Sequence, residues 1–92
     1  MNNLDFDIIY IGKKPVMNYA ATCMALFNQG KKELSIKARG NAISKAVDLV
    51  EILRRNFIKD LQVKDIQIGT DEIPKEDNRT AKVSKMDIVI SK

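Results

Sequence analysis

From Ile36 to Asp48 the chain reads Ile-Lys-Ala-Arg-Gly-Asn-Ala-Ile-Ser-Lys-Ala-Val-Asp, and an alternating pattern gives way to a helical one across a single glycine. Leu34, Ile36 and Ala38 alternate with Ser35, Lys37 and Arg39, which predicts a half-buried strand with its basic residues on the polar side. Beyond Gly40, Asn41 is suited to cap a helix, and Ile43, Ala46/Val47, Val50, Leu53 and Phe57 form an apolar stripe at helical spacing. The same grammar occurs earlier. Phe6-Asp7-Ile8-Ile9-Tyr10-Ile11 is rich in β-branched and aromatic residues and ends at Gly12. Pro15 then opens a helix over about residues 15–29, with Val16, Ala20, Cys23/Met24 and Phe27 inward and Gly30 placed for a left-handed cap. Two consecutive strand-to-helix units restrict the chain to an α/β fold with right-handed crossovers and parallel strands.

Val63, Ile66 and Ile68 mark a third strand whose alternation slips near Lys64-Asp65, the signature of a bulge. Residues 70–81 read as a long polar loop with turn chemistry at Asp77-Asn78, and Met86, Ile88 and Ile90 form a fourth strand. The expected fold is a two-layer β-α-β-α-β-β domain, a four-stranded mixed sheet with both helices on one face and an antiparallel hairpin at the end. Residues 1–5 are expected to be a flexible N-terminus, and residues 6–92 one domain. In such a fold the turns that leave parallel strands lie on one edge. Lys13/Lys14, Lys37/Arg39 and the hairpin therefore converge on one rim.

The charge placement at that rim is unusual. A helix N-terminus carries about half a positive charge, so cations beside it are disfavoured unless an anion joins them. Lys13 and Lys14 precede the first helix, and Lys37 and Arg39 precede the second. Backbone amides beside two cations suit a phosphate. Asn18 is a candidate contact to phosphate or a ribose hydroxyl, and Arg79 on the hairpin suits a narrow minor groove. Solvated turn lysines and ordinary loop charge are the competing readings, and Tyr19 is as well suited to the core.

Composition narrows the function. The chain has 92 residues and a net charge of +4, with no His and one Cys. Without His, His-based triads and most zinc sites are excluded, and one Cys permits no internal disulfide framework. No metal or other cofactor is expected. The acidic pairs Asp71/Glu72 and Glu76/Asp77 read as solvated loop charge rather than catalytic carboxylates. The longest apolar run, Ala20 to Phe27, is too short to span a bilayer, and Met1-Asn2-Asn3-Leu4-Asp5 lacks the basic start of a secretory signal. A domain this small leaves apolar surface that a second copy is expected to cover.

Two long segments, Ile11-Gly-Lys-Lys-Pro-Val-Met-Asn-Tyr19 and Ile36 to Asp48, together with Val50-Glu51-Ile52 and Val63 to Thr70, resemble the Alba family of archaeal chromatin and RNA-associated proteins. The resemblance implies a homodimer that binds double-stranded DNA and RNA. It implies that the lysine pair and the basic turn contact the backbone, that the hairpins reach along the duplex toward the minor groove, and that Phe57 joins dimer to dimer. It also implies Lys13 or Lys14 as an acetylation site that weakens DNA binding. Two departures stand out: Asn41 replaces an arginine in Lys-Ala-Arg-Gly-Arg, and Arg54-Arg55-Asn56-Phe57 replaces Arg-Asn-Arg-Phe. The first removes a phosphate contact from the rim and, with a nearly neutral hairpin, implies weaker binding than a bulk chromatin protein needs.

The expectation is therefore a non-enzymatic, largely sequence-independent DNA-binding homodimer, cytoplasmic and chromosome-associated. RNA as the main ligand, in a ribonuclease P-like or messenger-RNA-associated particle, is the alternative. A phosphate-ester enzyme and a purely structural ribonucleoprotein subunit are the readings from other classes.

Overall fold

Alternation and helical periodicity build the elements in the order β1 (Phe6–Tyr10), α1 (Val16–Asn28), β2 (Glu33–Arg39), α2 (Ala42–Ile52), a π-helical turn (Leu53–Phe57), β3 (Gln62–Pro74) and β4 (Thr80–Ser91). The computed structural model describes residues 6–92, so the flexible N-terminus expected at residues 1–5 lies outside the described residues. The strands form one sheet in the order β1-β2-β4-β3. β1 and β2 are parallel, and β4 lies between β2 and β3, antiparallel to both. The slip near Lys64-Asp65 is a bulge between Val63 and Asp65.

One face of the sheet carries the helices. Ile9 and Ile11, Leu34, Ile36 and Ala38, and Ile88 and Ile90 meet Ala20, Cys23 and Phe27 of α1 and Ala46, Leu49 and Val50 of α2. Leu34, Ile36, Leu49, Leu53 and Ile90 are fully buried, each contributing roughly 1.5–3 kcal/mol. Cys23 is part of this core, and burial pushes its thiol up to about 12. No helix among the described residues is long and apolar enough to cross a membrane.

Several expectations give way to tertiary structure. Residues 70–81 are not a long loop: β3 continues to Pro74 and β4 begins at Thr80, so only five residues connect them. The Lys75 amide donates to the Arg79 carbonyl, and Asn78 takes a left-handed φ of 63° in the turn. β2 is more than half-buried, because Ser35 on the polar side is 2% exposed and donates a hydrogen bond to Asp87 of β4. The stripe on α2 also shifts. Leu49 is fully buried, whereas Val47 and Phe57 are 42% and 47% exposed. The π turn supplies part of the reason: the Ile58 amide donates to the Leu53 carbonyl five residues back, and the extra residue rotates Phe57 out and seats Ile58 in the core. Asn41 makes no capping bond; it is already helical, at φ −65° and ψ −16°. Gly40, at φ 55°, turns the chain, and its carbonyl accepts from the Ile43 amide instead.

Candidate nucleic-acid interface

The turn between β1 and α1 is held from both sides. The Tyr19 hydroxyl, one turn into α1, accepts from the Gly12 amide at 2.8 Å and the Lys14 amide at 3.3 Å. The Lys45 ammonium, reaching over from α2, donates to the Gly12 carbonyl at 2.9 Å and the Lys14 carbonyl at 2.7 Å. The backbone groups of Gly12 and Lys14 are thus satisfied internally, and the Lys13 and Lys14 side chains are left to solvent. Among the described residues neither lysine has a carboxylate partner.

Over the ends of β1 and β2 lies an open concavity of about 1070 Å³. Its lining brings together Lys13, Lys37, Arg39, Asn41 and Lys45 with Lys85, Asp71 and Asp87. Arg39 lies opposite Lys85 in the ladder, and the hairpin beyond that pair comprises residues 70–74 and 80–84. Five residues per strand carry it about 17 Å past the rim. Three chain segments therefore do converge on one edge.

The sheet's open face, away from the helices, pairs much of this charge. Lys37 donates to Asp87 at 2.7 Å, and that hydrogen bond holds the lysine above its ordinary pKa. Partial burial pushes the Asp87 carboxyl up, but the hydrogen bonds from Lys37 and Ser35 outweigh it and hold the group below the usual range. Asp71 takes a hydrogen bond from Lys85 at 2.7 Å and sits 3.6 Å from the Arg39 guanidinium. The Lys85 bond, then the nearby Arg39, keeps Asp71 ionised below the usual carboxylate range. Gly69 makes this reach easy: a Cβ there would meet Lys85 Cε at 3.0 Å.

The remaining sequence candidates are dispersed. Asn18 is exposed on α1 beside Lys14, in a shallow depression away from the concavity. Arg79 lies in the hairpin turn and is bound by Asp77, whose Oδ2 accepts from Nε at 2.6 Å. Phe57 is exposed at the end of the π turn, so it does not close the core. Sequence reasoning missed Lys45, Lys85, Asp71 and Asp87. Lys45 stands in the helical half of the basic segment, and its spacing from Gly12 gives no signal; the carboxylates needed the ladder register.

Comparison with known proteins bears on the family and the fold. The sequence model of the Alba family matches residues 7–70. The chain is 50% identical over 84 residues to "DNA/RNA-binding protein Alba 1" of Archaeoglobus fulgidus, covering 91% of this chain and 93% of that protein. It is 43% identical over 86 residues to "DNA/RNA-binding protein Alba" of Methanocella arvoryzae, covering 94% and 90%. Alba from Thermoplasma volcanium superposes with a TM-score of 0.87 at 41% identity, covering 92% of this chain and 99% of that one. A family match over most of the described residues, relatives aligned nearly end to end, and a common four-stranded mixed sheet under two helices lead to one assignment: the chain belongs to the Alba family.

Proposed function

We propose that the protein is a non-enzymatic homodimer that binds double-stranded DNA with little sequence preference and organises it, in the cytoplasm on the chromosome. The observation that carries this is the convergence of Lys13, Lys37, Arg39, Lys45 and Lys85 on one concave rim beside a projecting hairpin. The relatives named as DNA/RNA-binding proteins support nucleic acid as the ligand. Lys13 and Lys14 neutralise phosphates, Lys37 and Arg39 add contacts where phosphate displaces their carboxylate partners, and Asn41 adds a neutral hydrogen bond. Asn18 and Arg79 extend the footprint, Phe57 meets a neighbouring dimer, and removing the charge of Lys13 or Lys14 by acetylation weakens binding. RNA is the alternative main ligand.

The dimer reading rests on the helix side of the sheet. Val63, Ile66 and Ile68 of β3 pair with Ile90, Ile88 and Met86, so they share the core's face, yet Ile66 is 55% and Ile68 78% exposed. With Val47 on α2 they leave an apolar surface continuous with the core, suited to a second copy related by two-fold symmetry.

A salt titration on duplex DNA tests the rim. Lys13 and Lys14 from two subunits give a slope of log K against log salt of about −4, and Lys37 and Arg39 take it toward about −7. Lys13→Ala should shallow it by about one unit per subunit engaged; an unchanged slope refutes the assignment. Light scattering should give twice 10.4 kDa without nucleic acid, and a monomer would refute the dimer.

A further inference from the structure

One row of side chains crosses the open face of the sheet near the rim. Tyr10 of β1 lies opposite Lys37 of β2, Lys37 opposite Asp87 of β4, and Asp87 opposite Gln67 of β3. Tyr10 ends this row at the sheet edge and is 71% exposed. Its neighbours Ile9 and Ile11 are buried toward the helices, so alternation sends the tyrosine ring to the opposite face. Ile8, two residues back on the same face, is 39% exposed and extends the apolar edge. Neither residue shares the helix-side surface to which the second copy is assigned.

An exposed aromatic ring beside an ammonium is a poor surface for water and a good one for a nucleobase. The concavity that Tyr10 joins holds five cations, Lys13, Lys37, Arg39, Lys45 and Lys85, against the two carboxylates Asp71 and Asp87. That excess of positive charge disfavours a cationic partner and favours phosphate. A single strand offers in alternation what this edge offers in complement: a flat base to stack and an anion to pair. A duplex cannot use the ring, because its bases already stack on each other inside the helix. Asp87 and Gln67 lie further along the row, an acceptor and an amide of the kind that read base edges.

We infer that the Tyr10 edge of the open sheet face is a seat for an unpaired nucleobase of a single-stranded nucleic acid, with Lys13 and Lys37 holding the adjoining phosphates. This rests on the rim being the nucleic-acid interface and adds to it a second mode, distinct from duplex binding. Stacking supplies the affinity, so the mode tolerates many base sequences.

The test uses the full chain and three probes: fluorescein-labelled oligouridine, oligodeoxyuridine and a mixed-sequence duplex. Tyr10→Leu should weaken binding to a single-stranded probe by about tenfold or more while leaving the duplex unchanged, and Tyr10→Phe should retain single-strand affinity. Loss on either single strand supports the seat, and the arm affected identifies the preferred sugar. The chain has two tyrosines and no tryptophan, so tyrosine emission reports the ring directly. Single-strand addition should quench it in the natural protein, and Tyr10→Phe should remove that quenching. Lys13→Ala run in parallel should weaken all three probes. If it does not, the rim reading fails, whatever Tyr10 does. Unchanged single-strand affinity in a folded Tyr10→Leu, or an equal loss on duplex, overturns the seat.

Discussion

Asp71→Asn should tighten duplex binding. Asp71 holds two rim cations at once, Lys85 by a 2.7 Å hydrogen bond and Arg39 at 3.6 Å. In the proposed binding mode phosphate displaces this carboxylate to reach Arg39, and an amide removes the competitor. The substitution raises net charge per subunit from +4 to +5, since one negative charge is deleted. One extra effective phosphate contact in each subunit steepens the salt slope by about 0.9 per subunit, or about 1.8 per dimer. Over a fourfold salt range, such as 50 to 200 mM, the advantage of the variant should therefore shrink by about tenfold. Fluorescence anisotropy on one duplex across that range reads the effect. Asp60→Asn is the control. It makes the same formal change at the opposite edge of the sheet, just before β3, where Asp60 is exposed. If both variants shift slope and affinity alike, only net charge matters, and Asp71 does not compete with phosphate at Arg39.

Further outcomes follow from the same geometry. Asn41→Arg should tighten duplex binding and steepen the slope by up to about two units per dimer, and thermal unfolding should show no capping loss, because Asn41 caps nothing. Lys45→Met should speed hydrogen exchange at the Gly12 and Lys14 amides by loosening the turn, at a stability cost of about 1 kcal/mol or less for a solvent-reached bond; unchanged exchange would show that Tyr19 alone holds it. The Lys37–Asp87 pair sets opposite pH limits. Asp87 has a depressed pKa in the folded state, so its contribution is present above about pH 4 and lost as pH falls through the folded value. Lys37 has a raised one, so its contribution is complete below about pH 10 and lost as pH rises through the folded value. Asp87→Asn should flatten both limbs of a melting-temperature profile, and a profile identical to that of the natural protein would contradict the pairing.

What could be read locally was read well. Gly40 and Gly30 mark backbone positions that need positive φ, and both have it. The alternation in β2, the slip at Lys64-Asp65 and the periodicity of α1 each depend on neighbours a few residues away, and each appears in the fold. The convergence of Lys13, Lys37 and Arg39 followed from the parallel pairing of β1 and β2, since parallel strands joined by a crossover leave the sheet on one edge. The amino-acid sequence thus determined the elements, their order and the basic edge. Tertiary structure decided which of those charges are free. Lys37 meets Asp87 fifty positions away and Arg39 meets Asp71 across the sheet, through an arrangement in which β4 enters between β2 and β3. Polar residues 70–74 and 80–84 become strand because each supplies the other's ladder, a pairing that composition does not reveal. The π turn likewise removes Phe57 from a stripe that ideal periodicity assigned to the core. Spacing along a chain reports direction on an element, whereas partnership between charges requires register between elements, and register is a property of the folded whole.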